Sequence, residues 1–410
     1  MKRYISLLLI AATVMTVLCA CSKKGSENGS EIKKVTLTVW GPQEDQPDEN
    51  GWLPTMCETF NDAHSEWDIT FKYGVCSEGD AGKNISQDPT GSADVYFFAN
   101  DQLGTLIQAN AISRLGGTVL EEIKNTNSEA MVSSVTSADG GVYGVPFSGN
   151  TWFMYYNKSI FTEDDVRSLD RMLSKGRVAF PLTNSWYLGA FYLANGATLF
   201  GDNGTDASAG IDYAGKAGVE ATEYIVDLAN NKNFVNDTEG SGLSGLLDGS
   251  VGAVFSGSWD AQKIEEALGE NFGAAPLPVA NIGGSEKQLL SFSGSKAVGV
   301  NPSCSDPEVA VALASFLGSY EAQKEHYTMR KVLPTNKKLL GEDLLAGDIV
   351  AQAQDKTINT TSVIQPSIPE MTAYWVPVEN MGKAIISGEV TKENAKEKTE
   401  ALNESLKASF

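Results

Sequence analysis

Four successive apolar residues, Val95-Tyr96-Phe97-Phe98, follow Asp94 without a polar residue between them. A strand with one wet face alternates apolar and polar side chains. An unbroken run therefore predicts a strand covered on both faces, as in a parallel sheet flanked by helices. Asp101 stands just beyond it, where an N-cap would open a helix running through Ala109. The pattern recurs along the chain. Strands are predicted over residues 35–40, 68–73, 153–157, 178–180, 251–255, 272–275 and 296–300. Helices are predicted over 52–63, 186–195, 213–230, 258–268, 306–317 and 321–330, and from about 370 to the end. Strand–helix alternation on this scale is the signature of an α/β fold.

The amino-terminal residues carry a different kind of information. Lys2 and Arg3 precede an apolar stretch over 5–18 that is short for a membrane span and suits a signal-peptide core, so residues 1–20 read as a signal peptide. It ends in Leu18-Cys19-Ala20-Cys21, a bulky aliphatic and a small residue ahead of cysteine, which matches the bacterial lipobox. Cleavage before Cys21 and lipidation of its sulfur are expected, with residues 21–34 as a polar tether and the protein held at the extracellular face of the cell membrane. About 390 residues remain, enough for two lobes with separate cores.

Composition excludes several classes. The chain has 31 basic and 52 acidic side chains, the reverse of a nucleic-acid binder. Its two histidines, His64 and His326, fall in no metal-like pattern and leave a His-dependent nucleophilic triad little to work with. Neither a Walker A motif nor GxGxxG occurs. No cofactor is expected. Cys57, Cys76 and Cys304 follow the signal region; a Cys57–Cys76 bridge and buried free thiols are both open readings.

Ligands of open α/β sheets bind beyond the carboxyl ends of the strands. Aromatic and polar residues cluster at such ends. Gln43 and Glu44 follow the first strand, and Asp101 follows Phe98. Asn184 and Trp186 follow the 178–180 strand, Trp259 follows the 251–255 strand, and Tyr374-Trp375 closes a proline-containing turn. Aromatic faces cover the C–H side of a sugar ring while amides and carboxylates bond its hydroxyls, so the set suits a carbohydrate. Trp40, Trp52 and Trp67 are expected in the core. A secreted glycosidase is the rival reading and needs two carboxylates across a cleft, with Glu44 and Asp101 as candidates. Within a binding protein, a polyamine, metal or organic-anion cargo is the other alternative.

Several segments, in order and spacing, resemble the maltose/maltodextrin-binding proteins of bacterial sugar ABC importers. These are the strand-to-tryptophan turn Gly252-Ala-Val-Phe-Ser-Gly-Ser-Trp259, the late segment Ile368-Pro-Glu-Met-Thr-Ala-Tyr-Trp375, the element from Asp94 to Gly104, Tyr155-Tyr-Asn-Lys158, and Ile225-Val-Asp-Leu-Ala-Asn-Asn-Lys232. The resemblance covers nearly the whole mature chain. It implies a type II periplasmic-binding-protein fold, two α/β lobes joined by a multi-strand hinge. The expected division is 35–149 with 292–345 in the first lobe and 150–291 with 346–410 in the second, with crossings near Gly149, Ser291 and Leu345. It further implies an oligosaccharide ligand, malto-oligosaccharide first, ABC permease subunits as partners, and a monomer that is not an enzyme. By position, Trp259, Trp375 and Trp186 would stack on sugar, Phe98 would replace a family tryptophan, and Asp101, Gln43, Glu44 and Tyr374 would line the site. Asn150 and Asn184 stand where the family's maltose binders carry carboxylates, and the 43–45 loop lacks the family's lysine. Both departures leave room for another oligosaccharide.

Overall fold

The structure is a computed structural model that describes residues 32–46, 51–201, 204–238 and 240–407. The signal peptide, Cys21 and most of the 21–34 tether lie outside the described residues. No helix among the described residues is long and apolar enough to cross a membrane.

The first strands in chain order are β1 (Lys33–Gly41), β2 (Trp67–Val75), β3 (Val95–Ala99), β4 (Val145–Thr151) and β5 (Phe153–Asn157). Next come β6 (Val178–Phe180), β7 (Thr198–Leu199), β8 (Ile211–Asp212), β9 (Phe234–Asn236) and β10 (Ala253–Ser256). The last are β11 (Phe272–Ala275), β12 (Val279–Ile282), β13 (Ser285–Gln288), β14 (Ser291–Val300) and β15 (Ser362–Ile364). Two large sheets emerge, and β7–β8 and β12–β13 form separate two-stranded pairs.

Both large sheets follow one plan. In the first, β2, β1 and β3 run parallel, then β14 joins β3 antiparallel and carries β4 on its other side. In the second, β9, β6 and β10 run parallel, then β5 joins β10 antiparallel and carries β11 beyond it. In each sheet the antiparallel fourth strand is one that the chain enters from the other sheet's side. β3 is buried along its whole length, as its unbroken apolar run requires. The helix Trp52–Ala63 covers the first sheet with Trp52, Leu53, Met56, Cys57 and Phe60, the spacing of one helical face. A separate apolar cluster around Trp152, Tyr155, Phe180, Phe191 and Phe255 fills the second unit.

Between the sheets the chain crosses on β4 and β14, tied by short hydroxyl side chains. Thr151 Oγ1 lies 3.0 Å from Ser291 Oγ and donates to the Phe292 carbonyl at 2.8 Å. Ser295 of β14 also pairs at 2.7 Å with Ser134, the last residue of the helix Glu129–Ser134. The third passage is diffuse: Leu333, Leu339 and Leu345 already pack into the second cluster, and β15 then returns to pair with the start of β14. The boundary expected at 345 falls inside this stretch.

Two local expectations are corrected, and one open reading is decided. Asp101 does not cap a helix: it sits inside the 3-10 turn Asn100–Gln102, and the helix that follows is Leu103–Gln108, with no side-chain cap. The carboxyl-terminal region is not one helix but two, Thr372–Ile386 and Ala395–Lys407, interrupted beyond Ser387 where Gly388 takes a φ of +81°. Cys57, Cys76 and Cys304 are all free and buried, so there is no Cys57–Cys76 bridge.

Candidate functional site

The cleft lies where carboxyl-terminal loops of both sheets face each other, as strand polarity dictates. It encloses about 470 Å³. Asp101 and Ala99 reach it from the end of β3, Asn150 from the crossing strand β4, Asn184 and Trp186 from the start of the helix after β6, Trp259 from the turn after β10, and Trp375 from the first turn of the helix Thr372–Ile386. Six sequence-chosen residues from five distant segments thus share one space.

Each aromatic is held by local chemistry. Asn184 caps the helix Ser185–Ala194, its Oδ1 accepting from the Trp186 N–H at 2.9 Å, which fixes where the helix starts and where Trp186 leaves it. The Trp186 indole N–H donates to Gln365 Oε1 at 2.8 Å. Trp259 sits in the 3-10 turn Ser258–Asp260 and folds back over Gly257, where any Cβ would come within 2.0 Å of the indole. Trp186 and Trp259 stack, with centroids 6.1 Å apart and planes 28° from parallel. Trp375 stands edge-on to Tyr374 at 5.0 Å and to Phe292 at 6.2 Å. A Cβ on Gly104 would meet the Pro369 nitrogen at 2.6 Å, so this glycine lets the helix after Asp101 touch the backbone that leads to Trp375.

The polar groups include several that sequence reading missed: Glu78, Gln102, Ser185, Lys296 and Gln365. Lys296 Nζ and Glu78 Oε1 form an ion pair at 3.2 Å across the first-sheet side. Gln102 Nε2 donates to Asp101 Oδ2 at 2.8 Å. Burial of the Asp101 carboxyl raises its pKa above the ordinary value, against the hydrogen bond from Gln102. A partly desolvated carboxylate of this kind gains most from a hydroxyl donor. No local signal marks Glu78 or Lys296, since each becomes a site residue only through the other.

Four candidates do not reach the cleft. Phe98 is fully buried in the first core, where its ring lies against Gly144 and its strand partner is Ala297 of β14. Both faces of β3 are covered, so the strand delivers its last residue, Ala99, to the cleft instead. Tyr374 is also fully buried; its hydroxyl accepts from Tyr213 at 3.3 Å and donates to the Ser185 carbonyl at 3.0 Å, so it props the Trp186 helix from behind. Gln43 and Glu44 are exposed on their turn and do not line the cleft. Their neighbour Asp45 turns inward, its Oδ1 lying 2.9 Å from His326 Nε2 and 3.2 Å from Arg330 Nε.

Known proteins share this fold. A solved structure with acarbose is 52% identical in sequence, with a TM-score of 0.87 over 91% of this chain and 99% of that one. The maltodextrin-binding protein MalE1 from L. casei BL23, solved without ligand, is 25% identical, with a TM-score of 0.83 over 92% of this chain and 99% of that one. A maltooligosaccharide ABC transporter solute-binding lipoprotein of Streptococcus pneumoniae (strain ATCC BAA-255 / R6) is 26% identical over 99% of this chain and 95% of its own length. The fold is the type II periplasmic-binding-protein fold. The family description "Bacterial extracellular solute-binding protein" matches residues 55–376, and the chain belongs to that family.

Proposed function

We propose that this protein captures an oligosaccharide, malto-oligosaccharide first, in the cleft and delivers it to the permease subunits of an ABC importer, acting as a lipid-anchored monomer at the extracellular face of the membrane. The observation that carries the reading is the convergence of Trp186, Trp259 and Trp375 with Asp101, Asn150 and Asn184. Indole faces cover the C–H side of pyranose rings, and amides with a partly desolvated carboxylate bond the hydroxyls. The relatives' names support the same cargo and the same importer class. The two lobes, 35–149 with 292–345 and 150–291 with 346–410, would close on the sugar about the crossing strands. A glycosidase would need a second carboxylate opposite Asp101. Glu44 lies away from the cleft, and Glu78 is held by Lys296.

Asn150 and Asn184, in place of carboxylates, favour a second reading, a different oligosaccharide in the same cleft. One screen separates the two. A ligand present at a hundred times its Kd stabilises the native state by about 2.7 kcal/mol. Malto-oligosaccharides should therefore raise the melting temperature by about 3 °C. A shift with other oligosaccharides alone would replace the malto reading, and no shift with any would remove the sugar reading.

The anchor has its own test. In the native organism, Cys21→Ser should abolish incorporation of labelled fatty acid and release the protein from the membrane fraction. Undiminished labelling in that variant would reject Cys21 as the attachment point.

A further inference from the structure

The Trp186 ring is less firmly fixed than its place in the cleft requires. Asn184 sets where the side chain leaves the helix, but not how the indole turns about its terminal torsion, which is broad for an aromatic ring. Tyr187 meets the ring edge-on at 5.4 Å, and Trp259 lies nearly parallel to it at 6.1 Å. Such contacts tolerate sliding, because aromatic pairs accept many offsets. A hydrogen bond is directional. The indole makes one among the described residues, from its N–H to Gln365 Oε1 at 2.8 Å.

Gln365 belongs to neither of the strands that carry the stacking aromatics. It follows β15, its N–H donates to the Ser293 carbonyl of β14 at 2.8 Å, and its carbonyl lies 3.5 Å from Asn100 Nδ2 at the end of β3. Its backbone is thus held by a crossing strand and the first lobe, while its side chain reaches Trp186, which packs against the second apolar cluster. The residue is 2% exposed. An indole N–H can only donate, so the amide has one allowed orientation, with its oxygen toward Trp186. Nε2 is then left buried with no partner among the described residues, and so is Asn100 Oδ1. An unmatched buried amide N–H is destabilising, and such groups gather at functional sites.

We propose that Gln365 is a positioning residue for sugar binding: from the hinge it fixes the turn of the Trp186 ring, so that Trp186 and Trp259 present one aromatic wall to the sugar. The role rests on the sugar reading of the cleft. Its oxygen carries the effect. A side chain that holds an acceptor at the same place keeps the ring in position, and one without an acceptor frees it.

The test is calorimetric titration of the mature chain with maltotetraose, together with proton NMR of the indole N–H signals. The Trp186 signal is identified by its loss in Trp186→Phe. Gln365→Met keeps the length of the side chain and removes the acceptor; Gln365→Asn keeps the amide but withdraws its oxygen. Each should weaken binding by about three- to tenfold, the worth of one hydrogen bond, and shift the Trp186 indole signal upfield with faster solvent exchange. Reading the same loss from two chemically different variants guards against one of them failing to fold. Gln365→Glu retains the acceptor and should stay within about twofold of the parent, with a parental indole signal. Added to Trp186→Phe, Gln365→Met should change affinity by less than about twofold, since the acceptor has no indole left to hold. A glutamate variant as weak as the methionine one would assign the effect to the amide N–H and overturn the positioning role. An equal loss from Gln365→Met with and without the Trp186 indole, or a parental indole signal in Gln365→Met, would overturn it as well. A parent that does not bind maltotetraose would overturn the malto-oligosaccharide reading and this role with it.

Discussion

Trp259→Ala is expected to weaken oligosaccharide binding on the order of thirtyfold, about 2 kcal/mol, while leaving the melting temperature close to the parent's. The two halves of this expectation come from the same geometry. Trp259 is 50% exposed and lies over Gly257 at the cleft, so it contributes little to either core. Trp52 and Trp152 are each fully buried, and truncating either should cost about 3–5 kcal/mol of stability. Trp375→Ala should lose comparable affinity but fold less well than Trp259→Ala, because its ring also packs edge-on to Phe292 and Tyr374. Calorimetry and thermal denaturation on the same preparations check both quantities. A sugar ligand held with parental affinity by both Trp259→Ala and Trp375→Ala would mean that the cleft has been assigned to the wrong residues.

Asp45→Ala should be the most damaging change outside the apolar cores, at about 3 kcal/mol. The carboxylate is 2% exposed and joins the turn after β1 to the helix Tyr320–Arg330 through His326 and Arg330. His326 in turn stacks on Trp52, with centroids 4.0 Å apart, so the pair reaches the centre of the first core. The partial exposure of Arg330 limits what its half of the network contributes. Burial pushes the Asp45 pKa up, but His326, Arg330 and Lys296 together outweigh it and hold the pKa below the ordinary value. A folded-state pKa below the unfolded one means that the stabilisation is complete above about pH 4 and is lost as pH falls through the lowered value. The parent should therefore lose stability in that acid window, and Asp45→Asn should show a weaker acid dependence there. Chemical denaturation at pH 7 and at a series of lower pH values gives both readings. Parallel pH profiles for the parent and Asp45→Asn would remove Asp45 from the account.

Much of this molecule is local in origin and could be read without coordinates. The apolar run 95–98 specified a strand buried on both faces, and the structure has it as β3. The apolar spacing of 52–63 specified one helix and its buried face. Trp186, Trp259 and Trp375 could be chosen because each follows a strand end or a proline-containing turn, and strand polarity alone says that such positions gather at one edge of a sheet. Asn184 was visible as a polar residue ahead of a helix, although its capping role emerged only with the backbone.

Tertiary structure decided everything that depends on two distant segments meeting. Alternation along a strand says that side chains point to opposite faces, but not which layer covers each face; Phe98 therefore looked like a cleft aromatic and is a core residue. Tyr374 and Trp375 are adjacent on one helical turn, yet one hydroxyl is buried against Ser185 and the other ring faces the cleft, because neighbouring helical residues point in different directions. The Glu78–Lys296 pair joins residues 218 positions apart, and Gln365 meets Trp186 across 179. β15, three residues long, has too little sequence for any periodicity and is a strand only because β14 offers it an edge. Local patterns set which surfaces must be buried and which turns must form. The partners of polar groups are set by loop closure and sheet order, and those exist only in the folded chain.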